Sequence, residues 1–169
     1  MVSDIYIIVN TPILHEEYPC TYCARVFFFC ILKLVIDMYE YYNPNPDKTV
    51  SASDCVVRAI TKALDVSWNT AYLMLSIQGY IDHDIFASDR VWNQMLFDMG
   101  YKRKAIPDTC PICYRIADFA ADNSEGTFIL GTGKHAVCVK NGVIYDVFDS
   151  SGEIPIFYFD MTKENRYGV

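Results

Sequence analysis

At Gly126 the spacing of apolar residues changes, and that change limits the possible folds more than any other feature of the chain. Before it, apolar side chains recur at helical spacing: Val56, Ile60 and Leu64 share one face of a helix opening near Ser53 or Asp54. Ser67 and Ser88 stand at N-cap positions, ahead of "WNTAYLMLSIQ" and "DRVWNQMLFDM", with Gly79 and Gly100 as the expected stops. A short fourth helix is expected over "YRIADFAAD". After Gly126 the runs "TFIL", "HAVCVK", "VIYDVFD" and "IPIFYFD" are short and β-rich. Asn141-Gly142, between the second and third, is the dipeptide that two-residue hairpin turns prefer. Helices followed by strands predict an α+β domain, with N-terminal helices packed on a C-terminal antiparallel β-sheet.

The 169 residues suffice for one domain with a sizeable core, and 52% apolar content excludes a disordered chain. Residues 1–37 read differently from the rest and are expected to be an N-terminal extension, with Met38 as the natural start of a domain over 38–169. The extension carries the most apolar run, "ARVFFFCILKLVI" (24–36). It falls short of the roughly 20 residues a spanning helix needs and is interrupted by Lys33, so a buried segment is expected and no stable membrane insertion. Asn43-Pro44-Asn45-Pro46 then forces an extended, turn-rich entry into the domain. A net charge of -7, with Lys102-Arg103-Lys104 as the only basic cluster, argues against nucleic acid; that cluster reads as a solvated strand or loop.

Seven cysteines are too odd a number for a disulfide framework, and "MVSDIYIIVN" lacks a basic signal-peptide start. Free thiols in a reducing, cytoplasmic setting are expected. The spacings "CTYC" (20–23) and "CPIC" (110–113) suit zinc thiolates but stand on the order of ninety residues apart. Cys110 and Cys113 are read as starting and packing a short helix, with no metal and no cofactor; a zinc-stabilised interaction domain is the alternative.

Cys55 falls in the first turn of the first helix, where unpaired N–H groups and the helix dipole favour a thiolate. Asp54 opposes this unless its carboxylate points away to cap the helix. Of the three histidines, His15 lies in the extension and His83 sits between two aspartates in a loop, as a surface residue. His135 begins a strand and suits the role of base. The acid that orients it belongs on the partner strand. A strict Asn-Gly loop sets His135 opposite Phe148 and brings Asp146 onto the same face one diagonal step away. A three-residue loop with a bulge sets Asp149 opposite instead, and spacing leaves both open. Trp68 and Trp92 are candidates for lining a pocket, or else helix core.

In this order, "SDCVVRAI", "GKHAVCV" and "YDVFDSSG" resemble the papain-like cysteine peptidase superfamily, and in particular its small phage and bacterial members, over about residues 38–160. The Asn-Pro opening, the "CP-x-C" segment and "D-x-x-D-S" extend the resemblance. It implies a papain-like fold and a cysteine hydrolase acting on a peptide or protein substrate. The implied triad is Cys55, His135 and Asp149, with Asp146 as rival, and the bond is cleaved through a thioester. A non-catalytic binding module on the same fold, with Cys55 buried and unreactive, is the alternative. The chain departs from the family about six residues before the nucleophile. There a glutamine usually supplies an oxyanion donor, and here Thr49 stands, with Ser51, Ser53 and Asn45 nearby.

Overall fold

The computed structural model describes residues 38–48, 50, 54–107 and 111–162. The extension 1–37, with its apolar run, its CTYC pair and His15, lies outside them, as do Thr49, Ser51, Ser53 and Cys110. The described elements are β1 (Tyr39–Tyr41), α1 (Cys55–Leu64), α2 (Trp68–Asp82), α3 (Asp89–Asp98) and β2 (Arg103–Ala105), followed by α4 (Ile116–Asp122), β3 (Thr127–Gly131), β4 (Ala136–Lys140), β5 (Val143–Asp146) and β6 (Phe157–Asp160). The strands form one sheet in the order β1-β5-β4-β3-β6-β2. Every pairing is antiparallel except β1 with β5. The fold is α+β.

Two of the helix starts follow directly from their serines. Ser67 Oγ accepts the Thr70 N–H at 3.1 Å, and Ser88 Oγ accepts the Val91 N–H at 3.4 Å, each satisfying a donor the helix leaves open. The stops differ from expectation in one place. Gly79 does not end α2, which continues to Asp82 and closes on a left-handed His83. Gly79 is buried because the returning chain crosses it: a Cβ there would meet Asp84 O at 2.8 Å and the Phe86 backbone at 3.2 Å.

The alternation of the strands divides the core between the two faces of the sheet. Ile129, Cys138 and Phe159 pack with Val57, Ile60, Trp92 and Leu96 of α1 and α3. Phe128, Leu130, Val137, Val139 and Ile144 pack with Ile116 and Phe119 of α4. Trp92, fully buried, stacks on Phe157 at 5.4 Å and tilts against Phe159 at 5.6 Å. Trp68 stacks on Tyr72 at 5.0 Å. Arg103 and Lys104 of the basic cluster lie in the exposed edge strand β2, where the Arg103 guanidinium lies 3.8 Å from the Phe157 ring centre and Lys104 pairs with Asp160 at 3.6 Å.

Gly131 faces Phe157 across the β3–β6 pairing, and a Cβ there would lie 2.3 Å from the phenyl ring. That ring is itself buried, between Trp92 and the Arg103 guanidinium. Gly131→Ala is therefore expected to destabilise the domain by about 1–3 kcal/mol, as overpacking does elsewhere. A lowered urea midpoint at unchanged slope checks this.

The β4–β5 hairpin fixes the geometry of the site. Lys140 pairs with Val143, so Asn141-Gly142 is a strict two-residue loop. Both loop residues have positive φ, 52° and 75°, as a type I′ turn requires. The register continues through Cys138 opposite Tyr145, with no bulge. Strand β1, too short to announce itself by periodicity, lies beside β5 with Tyr41 opposite Asp146, and the Tyr42 N–H donates to the Asp146 carbonyl at 2.7 Å.

Candidate active site

Cys55 is the first residue of α1, and Asp54 holds the N-cap position. The Arg58 N–H is the first to bond back, to the Asp54 carbonyl at 2.9 Å, so the N–H groups of Cys55, Val56 and Val57 precede the helical ladder. One of these, from Val56, donates to the Cys55 sulfur, as does the Ala136 N–H from the start of β4. The thiol is nearly covered, at 8% exposure. It reaches a cleft of about 290 Å³ that is also lined by Val50, Arg58, Lys134, His135, Val147, Phe148 and Glu153.

His135 sits at the turn between β3 and β4, held by the Thr132 N–H donating to its carbonyl at 2.8 Å. Its Nε2 lies 2.5 Å from Asp146 Oδ2, and its side chain also hydrogen-bonds Cys55. With Nε2 engaged by the carboxylate, Nδ1 is the ring nitrogen left for the thiol. The Phe148 ring, centred 5.0 Å from the imidazole, flanks it on the cleft side, as the two-residue hairpin register dictates.

The acid at His135 is Asp146 and not Asp149. Without a bulge, the register brings Asp146 to the histidine, where the implied triad required Asp149. Asp149 lies exposed on the turn beyond β5, and its Oδ1 accepts the Ser151 N–H at 3.0 Å. Asp146 is 2% exposed, and its other oxygen, Oδ1, accepts the Val147 N–H at 2.7 Å.

A fourth group, Arg58, was not singled out in the sequence. It lies one turn after Cys55, is 4% exposed, and pairs through Nη1 with Asp54. Its Nη2 stands 3.6 Å from Asp146 Oδ1. The signal was in plain view as an Asp–Arg pair at i,i+4, a spacing that on an exposed helix face means only a surface ion pair. Asp54 therefore does not cap α1 with its side chain: its carboxylate turns to Arg58.

Electrostatics follow from these contacts. Burial opposes the Cys55 thiolate, but the hydrogen bond with His135, the Ala136 N–H, the imidazolium charge and the Val56 N–H together hold its pKa below that of an ordinary thiol. Burial likewise opposes the His135 imidazolium, and hydrogen bonds to Asp146 and Cys55, with the charges of both, overcome it and raise the pKa to about 9. Thiolate and imidazolium stabilise each other. By contrast Cys138, fully buried on β4, is pushed up to about 12 by its burial and is packing material.

The other candidates lie elsewhere. His83 is an exposed C-cap. Neither Trp68 nor Trp92 lines the Cys55 cleft. Cys113 is half-buried in the turn before α4, which starts only at Ile116, so it does not open that helix as expected. Among the described residues no group of three or more His, Cys, Asp or Glu is placed to hold a metal ion. No helix among them is long and apolar enough to cross a membrane. Asn45, one of the expected oxyanion candidates, is buried with its Oδ1 accepting the Asp47 N–H at 3.0 Å, which shapes the Asn-Pro turn.

The chain matches no protein-family model, no curated protein sequence and no solved structure.

Proposed function

We propose that the protein is a papain-like cysteine hydrolase that cleaves a peptide or isopeptide bond through a thioester at Cys55. The observation that carries this reading is the position of His135, engaged by the Asp146 carboxylate at 2.5 Å through Nε2 and hydrogen-bonded to the Cys55 thiol. Cys55 as thiolate attacks the carbonyl carbon. His135 holds the thiol proton and returns it to the leaving amine, and Asp146 fixes the tautomer that leaves Nδ1 facing the sulfur. Water, deprotonated by the same imidazole, then hydrolyses the thioester and frees Cys55. The Cys55 backbone N–H, at the start of α1 and ahead of the helical ladder, is the natural donor to the oxyanion.

Incubation of the full chain with a mixed synthetic peptide library, followed by mass spectrometry, tests this. Cleavage by the wild type and none by Cys55→Ala is expected. A Cys55→Ala variant that cleaves as well as the wild type overturns the assignment of the nucleophile. A wild type that cleaves nothing and whose Cys55 alkylates no faster than Cys113 overturns the enzyme reading and favours a binding module.

A further inference from the structure

We propose that Arg58 is a positioning residue of the Cys55–His135 pair, drawing the Asp54 carboxylate away from the thiolate while holding the Asp146 carboxylate against His135. The inference rests on the catalytic reading above and goes beyond the triad to a residue that touches none of the reacting atoms.

Asp54, Arg58, Asp146 and His135 meet where Arg58 and His135 line the cleft, in a space largely closed to water. Asp54, Arg58 and Asp146 are 4%, 4% and 2% exposed. Their charges must balance one another, because solvent is not there to do so. Asp54 directly precedes Cys55, and an unpaired carboxylate there raises the thiol pKa and removes the thiolate. The guanidinium pairs with that carboxylate through Nη1 and turns Nη2 to Asp146 Oδ1 at 3.6 Å. Asp146 therefore has a separate partner for each oxygen, His135 for Oδ2 and Arg58 with the Val147 N–H for Oδ1. A carboxylate held on both sides cannot rotate away from the imidazole. The planar fork of arginine spans two acids in a way a lysine ammonium does not.

The other charged or titratable groups around this cluster do not duplicate Arg58. Tyr41, on β1, acts on the guanidinium, and the Tyr39 hydroxyl donates to the Asp146 carbonyl at 3.4 Å. Lys134 and Glu153 face the cleft from the turn before β4 and the loop before β6.

Removing Arg58 moves the thiol in one direction by two routes: Asp54 is left uncompensated, and Asp146 Oδ1 keeps only the Val147 N–H. The rate of Cys55 alkylation by iodoacetamide against pH, read peptide by peptide with Cys113 as internal control, reports the thiolate fraction. Arg58→Met is expected to shift the acidic limb of that profile upward by about one pH unit, a roughly tenfold loss of rate at pH 6. Arg58→Lys, which keeps the cation but loses the fork that reaches both acids, is expected to shift the limb the same way by less than Arg58→Met. Asp54→Asn, which leaves Arg58 wholly to Asp146, is expected to move the limb the opposite way. A folded Arg58→Met whose profile overlays that of the wild type overturns the proposal. Should Arg58→Met not fold, an unchanged profile in both Arg58→Lys and Asp54→Asn overturns it equally. A wild type whose Cys55 reacts no faster than Cys113 at pH 6 overturns the catalytic reading itself and the role of Arg58 with it, so the two failures are distinct.

Discussion

His135→Ala is expected to slow alkylation of Cys55 at pH 6 by about a hundredfold, because the thiol pKa rises and the thiolate fraction falls, while Cys113 reacts at its former rate. Two losses combine in this variant. The imidazolium that pairs with the thiolate disappears, and burial, the largest single influence on Cys55, is left opposed only by the Ala136 and Val56 N–H groups. The same histidine is expected to set the upper pH limit of the proposed activity. Its pKa stands at about 9, so hydrolysis is expected to decline as pH rises through that value, when the proton needed by the leaving amine is lost. Folding stability is linked with the same sign. The folded pKa exceeds the ordinary 6.5, so the stabilisation from His135 is fully present below about 6.5 and fades as pH rises through about 9. A thermal melting series from pH 6 to pH 10, wild type against His135→Ala, separates that contribution from the remainder.

Asp146→Ala is expected to be the most destabilising change at the site, at about 3–5 kcal/mol, because it strands buried cations on Arg58 and His135 without their shared counter-charge. Urea denaturation measures this. Asp146→Asn keeps the shape and gives up the charge. Its expected signature is kinetic: the descending limb of the pH–activity profile moves down from about 9, because the carboxylate that raised the histidine pKa is gone. Asp149→Ala provides the contrast. Its carboxylate is exposed and occupied with the Ser151 N–H, so the change is expected to stay within about 0.5 kcal/mol and to leave the pH profile in place. A larger effect at Asp149 than at Asp146 would reverse the assignment of the acid.

The contrast between the two aspartates shows how far the sequence could be read. Serine caps, strand alternation and the Asn-Gly turn are local signals, and helices, hairpin and the neighbourhood of Cys55 and His135 follow from them. The choice of acid depended on whether the hairpin carried a bulge. The resemblance pointed to Asp149, whereas the turn chemistry alone, taken strictly, leads to Asp146. Arg58 was legible as an ion-pair partner of Asp54 but not as a buried one, because burial of α1 depends on the sheet beneath it. Strand β1 left no periodic trace in three residues, and its parallel partner lies at the far end of the chain. Gly79 misled for a related reason: glycine marks both helix ends and close crossings, and only the returning loop distinguishes them.

The parallel pairing of β1 with β5 also has a bearing on time. Tyr39 and Asp146 are separated by 107 positions, so the contact closes a loop spanning nearly the whole described domain. Cys55 leaves the ribosome well before His135 and Asp146. Until the last hairpin docks, the thiol has no imidazolium beside it. The reactivity proposed for Cys55 therefore belongs to the finished molecule and not to a chain still being synthesised.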